Sequence, residues 1–207
     1  MLDKINSLGI EQIYCCGDIA GYGANPKECI RLVKKLKIRC VKGNHDYGVA
    51  SRDVGFNVYA TDAIRWQAKE LNESEKKFLS TLKEKLKVKI DGKNFYFVHG
   101  SPLDNLWHYV YENDNLEYLL EKSESDVLVM GHTHMPFVKK IGKSFVINAG
   151  SVGQPRDGVN RPPFVIFDTK KDYAEIVRVE YDIKAAADKI VKVGLPEFLA
   201  ERLFLGV

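Results

Sequence analysis

Val127-Leu128-Val129-Met130-Gly131-His132-Thr133-His134 is an apolar run of strand length that stops at a glycine and then presents two histidines at positions i and i+2. The four apolar residues fit a strand buried on both faces, as in the middle of a parallel sheet. Two imidazoles just past the end of such a strand rarely serve packing. In open α/β sheets, ligands bind beyond the carboxyl ends of the strands.

Three other apolar runs end in a similar way. Residues 10–16 lead into Gly17-Asp18, residues 38–41 into Gly43-Asn44-His45-Asp46, and residues 95–98 into His99-Gly100. Four of the five histidines fall in these endings, the fifth being His108. A glycine beside each candidate ligand lets the backbone turn sharply and approach an ion closely. Taken singly, each ending has a plainer reading: Gly-Asp is a common turn, and Asn and Asp favour turns. All four together predict one convergent site.

Between these endings the pattern predicts helices. Residues 1–8 read as the end of a helix stopped by Gly9. A second helix starts at Pro26 behind Asn25 as N-cap, with Cys29, Leu32, Val33 and Leu36 as its inward stripe. Residues 57–86 read as two helices, the second opened by an Asn72/Glu75 capping box. Residues 88–90 and 95–98 form a hairpin around Asp91-Gly92, and a helix over 112–121 leads to the strand quoted first. The remainder is β, with runs at 137–141 and 144–147, then 164–168 and 174–179. Two short helices over 183–204, broken at Gly194 and Pro196, close the chain. We find no repeat and no linker. One domain spanning 1–207 is expected, α/β in class with mixed sheets covered by helices.

Composition narrows the function classes. Of the 207 residues, 45% are hydrophobic and 29% charged, as in ordinary globular proteins. With 31 Lys+Arg against 28 Asp+Glu the formal net charge is +3, which gives no case for nucleic acid as an obligatory partner or for an acidic membrane. Cys15, Cys16, Cys29 and Cys40 contain no Cys-x-x-Cys pair, and the expectation is reduced thiols in a cytoplasmic protein. No signal peptide opens the chain and no apolar run is long enough to span a membrane.

The donors at the strand endings are carboxylate, amide oxygen and imidazole, without thiolate. That set suits Mn, Fe, Zn or similar divalent ions. Asp18 has two oxygens and can bridge two ions, and two ions ~3.5–4 Å apart form a clamp for in-line displacement at phosphorus. If Asn44 binds metal, His45 is held at the rim, where it could protonate a leaving oxygen, with Asp46 orienting its imidazole and keeping it cationic. The loop 148–158 carries Arg156, which could meet a phosphate, or is a plain surface loop. Tyr22, Trp107, Tyr109 and Tyr111 could line a base-binding surface, or simply pack. His108 could touch substrate, or be a surface or packing residue.

Gly17-Asp18-Ile19-Ala20-Gly21-Tyr22-Gly23, Gly43-Asn44-His45-Asp46, His99-Gly100-Ser101-Pro102, Gly131-His132-Thr133-His134 and residues 148–156 together resemble the calcineurin-like metallophosphoesterase superfamily, most of all its small prokaryotic phosphodiesterase and diadenosine tetraphosphatase-like members. The resemblance implies a four-layer α-β-β-α sandwich of two mixed β-sheets flanked by helices. It implies a dinuclear metal centre with two divalent ions in the family form, manganese first, with iron, zinc or nickel as alternatives. Asp18 would bridge the ions, Asn44, His99 and His132 would complete one site, and His134 would belong to the other. His45, supported by Asp46, is assigned to protonating the leaving group after a metal-activated hydroxide attacks phosphorus. Arg156 and Tyr22 are candidate substrate contacts, and the substrate would be a phosphorylated small molecule or nucleotide.

The family pattern opens with a strand ending in Asp-x-His, and no such motif precedes Gly17-Asp18. The expectation is therefore that this first strand is missing and that translation starts upstream of Met1. A strand, its loop and half a helix would come to roughly 20 residues. The alternative is a truncated or degenerate relative that binds metal or a phosphorylated ligand without turnover.

Overall fold

The computed structural model describes residues 1–51 and 55–207. In chain order the elements are α1 (Leu2–Ser7), β1 (Tyr14–Cys15), α2 (Pro26–Lys35), β2 (Arg39–Cys40), α3 (Asn44–Ser51), α4 (Val58–Glu70), α5 (Glu73–Thr81), β3 (Lys85–Ile90), β4 (Lys93–Val98), α6 (Leu116–Ser123), β5 (Val127–Met130), β6 (Phe137–Ile141), β7 (Ser144–Asn148), β8 (Pro163–Asp168), β9 (Tyr173–Arg178), α7 (Ile183–Lys192) and α8 (Glu197–Leu205).

Local chemistry explains most of the boundaries. Asn72 accepts the Glu75 amide at 2.9 Å while the Glu75 carboxylate accepts the Asn72 amide at 3.0 Å, a reciprocal cap that splits α4 from α5. Asn57, Asn115 and Asp182 cap α4, α6 and α7 by accepting from Ala60, Tyr118 and Ala185. Such caps contribute on the order of 1 kcal/mol each. Asn25 occupies the N-cap position of α2 without a side-chain bond to the helix backbone, and Pro26, whose ring presets φ, favours the start of that helix.

A five-stranded sheet in the order β3-β4-β5-β7-β6 forms the frame. Its centre, β4-β5-β7, is parallel, and the hairpins β3-β4 and β6-β7 make its antiparallel edges. All four residues of β5 are buried, as a central parallel strand requires. One face carries Tyr96, Val98, Leu128, Met130 and Val146 and packs under Leu116 and Leu119 of α6. The other face carries Phe95, Phe97, Val127, Val129, Phe145 and Ile147, with Val41 and Ala174 among its partners.

Two further ladders lie on that second face: the parallel pair β1-β2 and the antiparallel pair β8-β9. The Tyr14 ring stacks on Phe97 with centroids 4.3 Å apart, and Phe167 meets Phe95 and Phe145 edge-on at 5.2 and 5.1 Å. Among the described residues the two ladders are not hydrogen-bonded to each other, so the second sheet is divided. Asp172, in the β8-β9 turn, ties its ladder to the frame through Lys93 at 2.8 Å and Lys140 at 3.1 Å. Beyond the ladders, Ile30, Val49, Ile64 and Leu79 join α2–α5. Ile190, Leu199 and Leu203 seat α7 and α8 against Ala63 of α4. The layers run helix, sheet, ladders, helices, a mixed α/β architecture as expected.

Three local expectations differ from the structure. The second of the helices expected over 57–86 stops at Thr81, and Lys85 already belongs to β3. The buried face of α2 is Pro26 and Ile30, with Val33 partly covered, while Cys29, Leu32 and Leu36 face outward. Apolar spacing i, i+3, i+4, i+7 fits either stripe, and contact with α4 selects the one that starts at Pro26. Asn44-His45-Asp46, read as the ending of a strand with the next helix only from residue 57, is the first turn of α3.

Candidate active site

The carboxyl ends of β1, β4 and β5 and the start of α3 open onto one rim. Asp18, His132 and His134 have φ of 56°, 66° and 62°, the left-handed region that non-glycine residues seldom occupy. At Gly17, φ is 92° and an added Cβ would stand 2.5 Å from the Gly43 nitrogen, so the two loop backbones are in contact. Glycine at both positions permits that approach.

At the centre is Nε2 of His99, 3.0 Å from Asn44 Oδ1, 3.0 Å from His132 Nδ1 and 3.4 Å from Asp18 Oδ2. The tautomers follow from the other ring nitrogens. His99 Nδ1 lies 2.6 Å from the Cys16 carbonyl and His132 Nε2 lies 3.3 Å from the Trp107 carbonyl. A carbonyl only accepts, so both of these nitrogens carry hydrogen. Burial lowers His99 to about 4 and His132 to about 3, so the rings are neutral. The two nitrogens that face each other and the Asn44 amide oxygen therefore present lone pairs, and Asp18 adds a carboxylate when it is ionised.

Four converging acceptors repel one another unless a cation stands between them. The donor set fits a divalent metal, and separations of 3.0–3.4 Å are those of neighbouring ligands on an ion bonded at ~2.0–2.2 Å. Among the described residues no group of three or more His, Cys, Asp or Glu side chains is placed to hold a metal ion; the donors here lie in direct contact with one another, and Asn44 is among them. Asp18 is raised to about 7 by burial, with the His45 amide and Arg156 pulling it down. A neighbouring cation would favour its carboxylate form.

His134 makes no direct bond to these four. Its Nδ1 donates to the Gln154 carbonyl at 2.7 Å, which leaves Nε2 as a lone pair, and burial drives its proton affinity well below the usual range. Asn148 holds the Gly131–Thr133 turn, donating to the Gly131 carbonyl at 2.7 Å and to Thr133 Oγ1 at 2.9 Å.

His45 lies beside the group with its backbone N–H on Asp18 Oδ1 at 2.9 Å. Its ring sits between Tyr22 (4.6 Å) and Phe56 (5.1 Å), and its buried Nδ1 has no partner among the described residues. Burial, aided by His99, lowers it to about 3, so it is not held cationic. Asp46 does not orient it. Asp46 accepts the amides of Asp18 (2.8 Å), Gly43 (3.0 Å) and Ala20 (3.0 Å). The reason is helical: successive side chains in α3 point about 100° apart, so neighbours in sequence face different partners.

Arg156 lies near the rim, its guanidinium gripped by Gln154 Oε1 at 2.9 and 3.2 Å and placed 5.5 Å from the Tyr22 ring. Its charge lowers the proton affinity of Asp18, His45, His132 and His134. Tyr109 covers His132 at 3.9 Å, and exposed Trp107 meets Phe56 at 5.3 Å. His108 is tied into its own loop. Ser101 Oγ accepts from the Leu103 amide and shares a hydrogen bond with His108 Nδ1 at 2.6 Å. Phe56 and Arg202 carry no signal in the sequence, and Asn148 and Gln154 enter its reading only as members of the loop 148–158, whose glycines and proline mark it as unusual, without a role of their own.

Residues 1–172 match the calcineurin-like phosphoesterase superfamily domain. An uncharacterized protein of Methanocaldococcus jannaschii is 44% identical over an alignment that covers all of this chain and 91% of that protein. The crystal structure of a metallophosphoesterase from Sphaerobacter thermophilus is 30% identical with a TM-score of 0.85, covering 100% of this chain and 94% of that one. A hypothetical protein of Pyrococcus horikoshii shares the fold at a TM-score of 0.90 and 23% identity, over 100% of this chain and 91% of its own. The match over most of the chain, and the full-length likeness to the Sphaerobacter enzyme, place this protein in the calcineurin-like phosphoesterase superfamily.

Proposed function

We propose that this chain is a metal-dependent phosphoester hydrolase acting on a phosphodiester or nucleotide-type substrate at the Asp18–Asn44–His99–His132 rim. The observation that carries this reading is the meeting of Asn44 Oδ1, His132 Nδ1 and Asp18 Oδ2 at His99 Nε2. Bound divalent ions, with manganese the first candidate, would supply Lewis-acid polarisation of the phosphoryl group and lower the pKa of the attacking water. Asp18, Asn44, His99 and His132 would hold one ion, and His134, with Asp18, would face a second.

The remaining roles belong to the chain's own groups. His45 presents an unpartnered Nδ1 from a pocket closed by Tyr22 and Phe56. A phosphoryl anion beside it would raise its proton affinity, and the proton would then pass to the leaving oxygen. Arg156 would meet a non-bridging phosphoryl oxygen. Trp107 and Tyr109 offer exposed aromatic faces for a base or aryl leaving group. Among the described residues no helix is long and apolar enough to cross a membrane.

The test is hydrolysis of bis(4-nitrophenyl) phosphate with Mn²⁺, together with metal content, for the wild-type protein and His45→Asn. The variant is expected to retain metal and lose about 10²–10⁴ in kcat. Absence of turnover in the metal-loaded wild type would overturn the proposal. It would favour the second reading, a metal or phosphoryl-ligand binder without turnover, which the lack of direct contact between His134 and the other donors supports.

A further inference from the structure

Two guanidinium groups share one tyrosine ring at the edge of the site. Arg156 lies 5.5 Å from the Tyr22 centroid and Arg202 of α8 lies 6.0 Å from it. Tyr22 is in turn 4.6 Å from His45 and 6.4 Å from His134. Through Tyr22, Arg202 lies on the part of the rim that carries His45 and His134.

The position is built by packing. The Gly158 amide donates to the Gly206 carbonyl at 2.9 Å, and Asn160 Nδ2 donates to the Phe204 carbonyl at 3.0 Å. These bonds dock the end of α8 on the loop that carries Arg156. Gly206, at φ 70°, packs so closely on Val159 that an added Cβ would stand 2.5 Å from its carbonyl carbon. The Leu199 and Leu203 side chains anchor the same helix in the core.

Two like charges gathered at one ring need a reason. Among the described residues neither arginine is paired with an Asp or Glu carboxylate. Arg156 uses Nε and Nη2 on the neutral Gln154 amide, and Arg202 uses Nε on an oxygen of Val207, the last residue of the sequence, which leaves its Nη groups for a ligand. Desolvation and the charge of Arg156 both disfavour the charged form of Arg202. An anion between the two guanidinium groups would reverse that repulsion and give each a charge-assisted partner.

We infer that Arg202 and Arg156 form, over Tyr22, a subsite for a second phosphate of the substrate, next to the phosphorus that is hydrolysed. The inference rests on the phosphoester-hydrolase reading and narrows it to substrates with two neighbouring phosphates. Arg202 is then a specificity-determining residue contributed by the last helix.

The experiment measures binding of inorganic pyrophosphate and inorganic phosphate to the purified protein by calorimetry. The wild type is expected to bind pyrophosphate at least about tenfold more tightly than phosphate. Arg202→Gln should remove most of that ratio and Arg202→Lys should retain part of it, because an ammonium keeps the charge without the fork. Should the glutamine variant fail to fold by circular dichroism, the lysine variant carries the comparison alone. An unchanged pyrophosphate-to-phosphate ratio in the folded variants overturns the inference. These titrations need no turnover, so they fail independently of the hydrolysis assay on the single-phosphorus diester.

Discussion

The carboxylate of Asp46 accepts the backbone N–H of Asp18 at 2.8 Å, so a residue in the first turn of α3 fixes the loop that presents a donor 28 positions earlier. The same carboxylate holds the amides of Gly43 and Ala20. Asp46 therefore acts as the pin of two loops whose backbones touch at Gly17 and Gly43.

Removing that pin should cost stability. Asp46→Ala leaves three buried amides without acceptors, at ~1–3 kcal/mol each. We expect a loss of ~3 kcal/mol or more in urea unfolding, together with weaker metal retention. A loss below ~1 kcal/mol would show that water replaces the carboxylate at no penalty.

Metal should stabilise the native state through the four-donor cluster. A ligand at 100 times its Kd adds ~2.7 kcal/mol, which for a chain of this size is a rise of about 5–10 °C in Tm. Chelation followed by Mn²⁺ titration should show that rise in the wild type. In His132→Ala it should be mostly absent. Equal shifts in both proteins would place the stabilising ion elsewhere.

The tie between the β8-β9 turn and the main sheet should depend on pH. Lys93, then Lys140, holds the Asp172 carboxyl below its ordinary value of 3.8. A carboxylate whose folded pKa is depressed stabilises the fold above its unfolded pKa, and that contribution disappears as pH falls through the folded value. Asp172→Asn should therefore lower Tm slightly at neutral pH, less so in high salt, and the difference should close as pH drops below 3.8. A gap that persists in acid would point to packing instead of charge.

The strand endings were readable because each couples an apolar run to a glycine and a polar donor, a conjunction with few structural uses. Asp18, Asn44, His99 and His132 could thus be nominated from spacing and residue type. The direction of Asp46 could not, because adjacency in sequence says nothing about which side of a helix turn a side chain takes. Cys29, Leu32 and Leu36 misled for a related reason. An apolar stripe reveals the period of a helix, while the neighbour that covers it is set by the tertiary fold. Phe56 and Arg202 carry no motif, and only the docking of α8 and the course of the chain beyond α3 bring them to Tyr22 and His45.

Asp18, His132 and His134 hold their side chains out on backbone turns that suit glycine or asparagine better. At these three places ease of folding and chemistry pull in opposite directions. A variant library selected for heat tolerance alone should drift there toward glycine and, on the proposed roles of these side chains, emerge hardier but inert. Selection that also scores catalysis should leave all three untouched and find its gains in surface helices such as α2.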